Sequence, residues 1–241
     1  MKNPAEIKSN DLLDLLCDAV YQYRLSQSCT GDPYRCNRHA RSSILSSAIS
    51  LESAANGLLS TLNLKGRLAQ DLDKLPVISK FEIFVQLSGC GVGFERGCIE
   101  VQRAQELLNA RNGFVHPKQK TIPIEVEHDK NFVFRLHLNE SKRDGLGISG
   151  NPSFWNATDA ATAFTSVANF LEFVICSKVR MSPGTVWREL HTRLEIGNQT
   201  EIIGAKNLLA ELADTDDLGV DLRFLGIPHR DQLEDFTSQT S

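Results

Sequence analysis

An arginine and a histidine stand five residues apart near the middle of the chain, in the stretch LLNARNGFVHPK. The guanidinium of Arg111 is planar and permanently charged, so it can hold a phosphodiester and stabilise charge on its oxygens. The imidazole of His116 can take a proton from a ribose 2′-hydroxyl or give one to the leaving 5′-oxygen. The two residue types suit cleavage of RNA without a metal ion or another cofactor.

The local pattern predicts where these two side chains lie. Arg111 extends the apolar stripe of a helix that the spacing predicts over residues 98–112. Gly113 is expected to end this helix in a left-handed turn. Pro117 disfavours a helical conformation for His116 and places the imidazole on an extended segment beyond the helix. A break at Gly113 would let the two side chains converge on one phosphate.

The same pattern also has a purely structural interpretation. A cation near a helix C-terminus is favoured by the helix dipole, and His-Pro is an ordinary way to leave a helix. A second pair with similar spacing, Arg223 and His229, leads into the acidic end of the chain and is interpreted as accidental. Spacing alone therefore leaves both interpretations open.

The stretch ELLNARNGFVHPK resembles the signature of HEPN domains, the higher eukaryotes and prokaryotes nucleotide-binding family. The motif of this family is an arginine, usually followed by a polar residue, with a histidine a few residues further on. Arg111, Asn112 and His116 fill these positions. The order of the surrounding elements is also similar over about residues 10–180: a long alanine-rich helix, the segment LPVISKFEIF, the motif helix and a closing helix.

The resemblance implies a helical bundle that forms a homodimer with its two motifs facing each other. In active members this arrangement creates a composite, metal-independent endoribonuclease site, which leaves a 2′,3′-cyclic phosphate and a 5′-hydroxyl. It implies catalytic roles for Arg111 and His116, with Asn112 orienting the phosphate or the histidine. Many active members are toxins or antiviral defence effectors, which predicts an antitoxin or a defence-complex partner. Other members share only the fold, so the alternative is a non-catalytic protein that binds RNA or a protein partner.

A basic run, YRCNRHAR, precedes the long second helix that the spacing predicts over residues 38–62. Arg35, Arg38 and Arg41 can pair with phosphates, and Tyr34 can stack on a base. The run is therefore predicted to guide RNA toward the motif. The alternative is a solvated helix start or an ion-paired dimer surface.

The spacing of apolar residues predicts a mainly α fold. A helical bundle of the HEPN type is expected at residues 1–180 and a helical extension with an acidic tail at residues 181–241. The closing helix of the bundle is predicted over residues 159–179, with Thr158 as its cap. Alternating apolar residues predict a β-hairpin inserted at about residues 121–137. The glycine pattern GLGISG does not follow an apolar strand, so it is interpreted as a loop and not as a nucleotide-binding turn.

The composition, with 41% hydrophobic and 23% charged residues, is typical of a soluble globular protein. The formal net charge of -4 divides into an acidic end at residues 199–241 and a mildly basic body, which is compatible with RNA binding. No unbroken apolar stretch has the length of a membrane span, and the polar start MKNPAEIKSNDLL predicts a cytoplasmic protein. The spacing of the six cysteines predicts free thiols and no metal site.

Overall fold

Eight α-helices dominate the described part of the computed structural model, which confirms the predicted mainly α fold. The structure describes residues 5–29, 31–89, 91, 93–117, 125–128, 134–137, 142–143, 145–197, 199–202, 205–228 and 230–232. The helices are α1 (Leu12–Ser28), α2 (Pro33–Thr61), α3 (Gly66–Asp73), α4 (Val77–Leu87), α5 (Ile99–Val115), α6 (Ala157–Glu172), α7 (Pro183–Leu190) and α8 (Ala205–Leu212). Helix α6 continues as a π-helix over Phe173–Val179, and short 3-10 turns follow α8.

Helix α2 begins five residues earlier than the apolar spacing predicts. The Asp32 side chain accepts a hydrogen bond from the backbone N–H of Arg35 at 3.0 Å, and Pro33 occupies the first helical position. Both features stabilise a helix start, because the carboxylate satisfies a free N–H and the proline ring fixes a helical φ. The basic run therefore lies within the first turns of α2.

The cap of α6 also differs from the prediction, which assigned it to Thr158. The Asn156 side chain accepts hydrogen bonds from the backbone N–H groups of Thr158 and Asp159, and the Asp159 carboxylate accepts one from the backbone of Asn156. This reciprocal capping box satisfies more free backbone groups than a threonine cap would. The helix consequently starts two residues before the predicted position.

Helix α2 is the centre of the bundle and packs against α1, α4, α5, α6 and α7. Its inward face contributes Ile44, Leu51 and Leu58, which are fully buried. Burying a side chain of this size contributes about 1.5–3 kcal/mol. The Phe81 and Phe170 rings meet edge to face at 4.8 Å, which joins α4 to α6. The bundle therefore holds α5, which carries the Arg–His motif, on a rigid frame.

Helix α6 and its π-helical continuation, Ala157–Val179, are long and apolar enough to cross a membrane by length and composition. In the structure this segment packs against α1, α2 and α5, and 56% of its most apolar window is buried. These contacts are those of a core helix in a bundle.

Two small antiparallel sheets accompany the helices within the described residues. Strands β2 (Glu125–His128) and β3 (Phe134–His137) form the predicted hairpin, with Val126 opposite Leu136. The rest of the predicted hairpin, residues 121–124 and 129–133, lies outside the described residues.

The second sheet was not predicted. Strand β1 (Ala5–Lys8) pairs with β4 (Arg193–Ile196), which in turn pairs with β5 (Gln199–Ile202), where the sequence predicts helix. Strand β1 pairs with a strand almost 190 residues away in the sequence, so no adjacent turn marks it as part of a hairpin.

The segment after residue 180 shares the core of the bundle. Leu209 and Leu212 of α8 are buried in the same apolar cluster as α1. Arg24 of α1 forms an ion pair with Glu211 at 2.8 Å. The predicted C-terminal extension thus includes helices α7 and α8, together with the hairpin that holds the N-terminal strand.

Candidate functional site

Helix α5 runs through Gly113 and ends at Val115, so the predicted helix end at Gly113 is wrong. The backbone N–H of His116 still donates to the carbonyl of Asn112 at 2.9 Å. His116 has left the helical region, with φ −117° and ψ 67°, as predicted from Pro117. Glycine tolerates helical dihedrals and does not enforce a stop, whereas the ring of Pro117 excludes them for the preceding residue.

The unbroken helix separates the two side chains of the motif. An α-helix turns by about 100° per residue, so positions 111 and 116 differ by about 140° around the axis. Arg111 lies on the side of α5 that carries the buried Leu107 and Leu108, whereas His116 is exposed. The predicted convergence on one phosphate is therefore lost within a single chain.

Two contacts hold the Arg111 guanidinium in place. Its Nη1 donates to the Asn112 side-chain oxygen at 2.9 Å, and its Nη2 lies 3.6 Å from the Glu52 carboxylate of α2. The side chains of Arg111 and Glu52 are 28% and 41% exposed, so solvent screens this ion pair. In the structure, Asn112 orients Arg111 by its side chain and supports His116 by its backbone carbonyl.

One arginine of the predicted RNA-guiding run reaches the end of α5. The Arg41 guanidinium lies over the Phe114 ring at 5.8 Å, and Phe114 packs beside Trp155 with 5.9 Å between ring centres. This cation–π contact holds a positive charge next to the last turn of α5.

The other members of that run lie further out. Tyr34, Arg35 and Arg38 are exposed on the first turns of α2. At about 1.5 Å per residue, Tyr34 lies about 10 Å before Arg41 along the helix axis. The structure thus brings Arg41 to the motif helix and leaves these three residues on the outer surface of α2.

Arg143, which no motif in the sequence marks as functional, lies beside the outer face of α5. Its Nη1 is 3.7 Å from the Glu106 carboxylate, and its Nη2 is 3.9 Å from the point where a Cβ on Gly113 would stand. A turn fixes its backbone, because Arg143 exchanges hydrogen bonds with Ile148 and Gly147. The glycine-rich GLGISG stretch therefore has a structural role, since it presents an arginine to α5.

The end of α5 is consequently a positively charged surface. Arg41, Arg111 and Arg143 lie around this helix end. Two acidic side chains lie there too, because Glu52 pairs with Arg111 and Glu106 faces Arg143. The free carbonyls of a helix C-terminus carry partial negative charge, which these guanidinium groups offset. A surface of this kind can bind phosphate, which the helix end alone would repel.

Other buried polar groups include His191, Cys17 and Lys80. Burial lowers the pKa of His191 to about 4, and its Nδ1 contacts the carbonyl of Trp187. Burial likewise raises the pKa of the Cys17 thiol to about 12. The Lys80 ammonium is buried and donates to the Asn56 side-chain oxygen at 2.7 Å. These groups are neutral or paired, as expected for structural residues.

No family model, curated protein or solved structure matches this chain. Within the described ranges, no three His, Cys, Asp or Glu side chains are grouped as they would be to hold a metal ion. Cys17, Cys29, Cys36, Cys98 and Cys176 are free thiols in the structure. The function is therefore inferred from the arginines and the exposed histidine at the end of α5.

Proposed function

We propose that the protein is a HEPN-like, metal-independent endoribonuclease that acts as a homodimer. The observation that carries this proposal is the end of α5, where an exposed histidine follows a fixed arginine within a positively charged surface. His116 is accessible to a substrate, while its backbone is held by Asn112. These features supply a proton-transfer group and phosphate-binding groups for RNA.

A second chain is needed because α5 separates the two motif residues. Positions 111 and 116 differ by about 140° around the helix axis, so Arg111 and His116 of one chain lie on different sides of α5. A two-fold axis next to the helix ends would bring both motifs to one crevice, since such contacts are self-complementary. Val115, on the same helix side as Arg111, is 46% exposed, and Ile49, one turn from Glu52, is 36% exposed. These apolar side chains support burial against a partner chain.

The proposed reaction is a transesterification within the RNA. His116 takes the proton of the 2′-hydroxyl while the 2′-oxygen bonds to phosphorus, and the bond from phosphorus to the 5′-oxygen breaks. The leaving 5′-oxygen receives a proton from His116 of the partner subunit. Arg111 stabilises the charge on the non-bridging oxygens. The products are a 2′,3′-cyclic phosphate and a 5′-hydroxyl. One phosphorus–oxygen bond forms and one breaks with no change of oxidation state, so the step uses no oxidant and no metal ion.

A non-catalytic HEPN-like protein that binds RNA or a protein partner is the second candidate. The Arg111–Glu52 ion pair favours it, because a guanidinium engaged by a carboxylate joins α5 to α2 and is less available to a phosphate. In this case the same positive surface would bind RNA without cutting it.

Cleavage of labelled RNA in excess EDTA tests the proposal. We expect the wild-type protein to leave 2′,3′-cyclic phosphate ends, and His116→Ala to lower the rate by about a hundredfold or more, since general acid–base catalysis contributes that much. Arg103→Ala is the matched control, because Arg103 is an exposed arginine of the same helix, upstream of the motif. Cleavage by His116→Ala at the wild-type rate would reject the assignment.

Absence of cleavage by the wild-type protein, with RNA binding intact, would favour the second candidate. We also propose that the protein acts in the cytoplasm as a toxin or an antiviral defence effector under the control of a partner. Induced expression in bacteria should then slow growth, whereas expression of His116→Ala should not. Equal growth inhibition by the two proteins would contradict this role.

A further inference from the structure

The outer face of α5 brings a different arginine to His116. Gly113 and Glu106 are seven residues apart, about two helical turns, so they share one side of α5. His116 is three residues beyond Gly113, and side chains at this spacing are neighbours, with Cβ atoms about 5–6 Å apart. Arg143 contacts this same side, with its Nη1 near Glu106 and its Nη2 near Gly113. Among the residues that the structure describes, Arg143 is therefore an arginine on the side of His116 within one chain.

The distances allow both side chains to contact one phosphate. The Nη2 of Arg143 is 3.9 Å from the Cβ position of Gly113, which puts it within about 10 Å of the Cβ of His116. An imidazole that extends toward Arg143 would narrow the gap between the nitrogens by several ångströms. One phosphate can accept hydrogen bonds of about 2.8 Å on two of its oxygens, so it can join two donor nitrogens that lie about 5–8 Å apart.

The guanidinium of Arg143 also has hydrogen-bonding capacity that the described residues do not use. A guanidinium has five N–H donors. The Arg143 guanidinium donates no hydrogen bond to another residue that the structure describes. Its contact with Glu106, at 3.7 Å, is an ion pair too long for a hydrogen bond. The Nε is buried without a partner among the described residues, which is an energetic cost. A charged group held in this state gains more from an anionic ligand than a fully paired arginine does.

The backbone around Arg143 is fixed before any ligand binds. Its N–H donates to the Ile148 carbonyl at 2.9 Å, and the side chains of Leu146 and Ile148 are buried in the core. The Trp155 indole donates to the Ser149 carbonyl at 2.8 Å and holds the far side of the turn. A preorganised arginine loses little entropy when it binds a phosphate.

We infer that Arg143 is an RNA phosphate-binding residue that works beside His116 on the outer face of α5. The inference rests on the proposed function, because it assigns Arg143 to the substrate of that site. In this arrangement Arg143 holds the scissile phosphate, or the one next to it, against the histidine of its own chain. Arg111 belongs to the opposite, dimer-facing side of the same helix.

The test measures binding of a short fluorescent RNA in which every ribose carries a 2′-O-methyl group, so that the attacking hydroxyl is missing. Fluorescence anisotropy over a range of salt concentrations gives the affinity and its salt dependence. We expect Arg143→Ala to weaken binding about tenfold and to lower the slope of log Kd against log salt by about 0.7, the value for one lost phosphate contact with a single strand. Arg143→Lys should restore most of the affinity at low salt but not the full value, because lysine keeps the charge and loses the planar geometry.

Two controls separate phosphate binding from a structural role. Arg103→Ala removes an exposed arginine from α5 and should change the affinity less than about twofold. Glu106→Gln removes the carboxylate that faces Arg143 and should leave RNA affinity unchanged or raise it. If Glu106→Gln weakens binding as much as Arg143→Ala, the pair is a structural brace and the inference is overturned.

Cleavage of unmodified RNA, measured in parallel, distinguishes the two proposals. If the wild-type protein cleaves RNA while Arg143→Ala matches Arg103→Ala in affinity and salt slope, the inference fails and the proposed function stands. If the wild-type protein does not cleave and Arg143→Ala loses affinity as described, the nuclease proposal fails and Arg143 stands as an RNA contact. If the wild-type protein binds no RNA, both are overturned.

Discussion

Arg111→Ala separates a catalytic role from a structural one, because the two roles predict different ratios of lost activity to lost stability. The structure gives Arg111 one ion pair of 3.6 Å with Glu52 and one hydrogen bond of 2.9 Å with Asn112. In a water-like dielectric, two charges at this distance attract by about 1 kcal/mol, and exposed pairs contribute about 0.2–1 kcal/mol net. The hydrogen bond between exposed groups adds about 0.5 kcal/mol.

These values limit the expected loss of stability to about 1.5 kcal/mol. For a chain of this length, 1 kcal/mol corresponds to about 2–4 °C, so the melting temperature should fall by less than about 6 °C. If Arg111 stabilises the transition state, removing its charge should slow cleavage by about a hundredfold to a thousandfold. Thermal unfolding followed by circular dichroism, and initial rates on end-labelled RNA, measure the two effects on the same protein samples.

Glu52→Gln is the matched control for this experiment. It breaks the same ion pair and should cost the ion-pair part of the stability, about 0.2–1 kcal/mol, but it leaves the Arg111 charge available and should retain most of the activity. A fall of more than about 10 °C for Arg111→Ala, or equal loss of activity in both variants, would show that the pair acts through structure. Wild-type cleavage rates in Arg111→Ala would refute the catalytic role outright.

Two further predictions concern the frame that holds the site. Burial lowers the pKa of His191 to about 4, so between pH 6.5 and 4 the unfolded chain binds a proton that the folded protein does not. The contribution of neutral His191 to the free energy of unfolding should therefore be fully present above about pH 6.5, and the free energy should fall by about 2 kcal/mol from pH 7 to pH 5. Urea titrations at several pH values should show that His191→Gln removes this pH dependence. A Cβ on Gly57 would stand 2.3 Å from the Asn10 side-chain nitrogen and 2.9 Å from Leu190, so Gly57→Ala should cost about 1–3 kcal/mol. Gly184→Ala, which meets no atom within 4 Å, should be close to neutral, and equal unfolding midpoints for both variants would contradict this packing argument.

Several features of the fold could be predicted because their causes lie within a few residues. Pro76 comes directly before α4, and Ser182 with Pro183 starts α7, so a proline marks both helix starts in the sequence. Pro117 sets the conformation of His116 through contacts with its direct neighbour.

The predicted secondary structure was wrong where a residue has only a weak local preference, or where a neighbouring side chain makes a better helix cap. Gly113 permits a left-handed turn but does not require one, and α5 continued through it to Val115. Asn156 displaced Thr158 as the cap of α6 because its neighbour Asp159 completes a reciprocal pair of hydrogen bonds. Strand β1 had no local signal, since its pairing partner β4 lies almost 190 residues away in the sequence.

The sequence by itself determined the mainly α fold, the helix that carries the motif, and the position of His116 just beyond its end. Only the tertiary structure decided which charges surround that helix end. Glu52, Arg41 and Arg143 reach α5 from segments about 30–70 residues away along the chain, and packing of the bundle brings them there. Helix geometry then puts Arg111 and Gly113, the residue that Arg143 contacts, on opposite sides of α5, because positions two residues apart differ by about 200° around the helix axis.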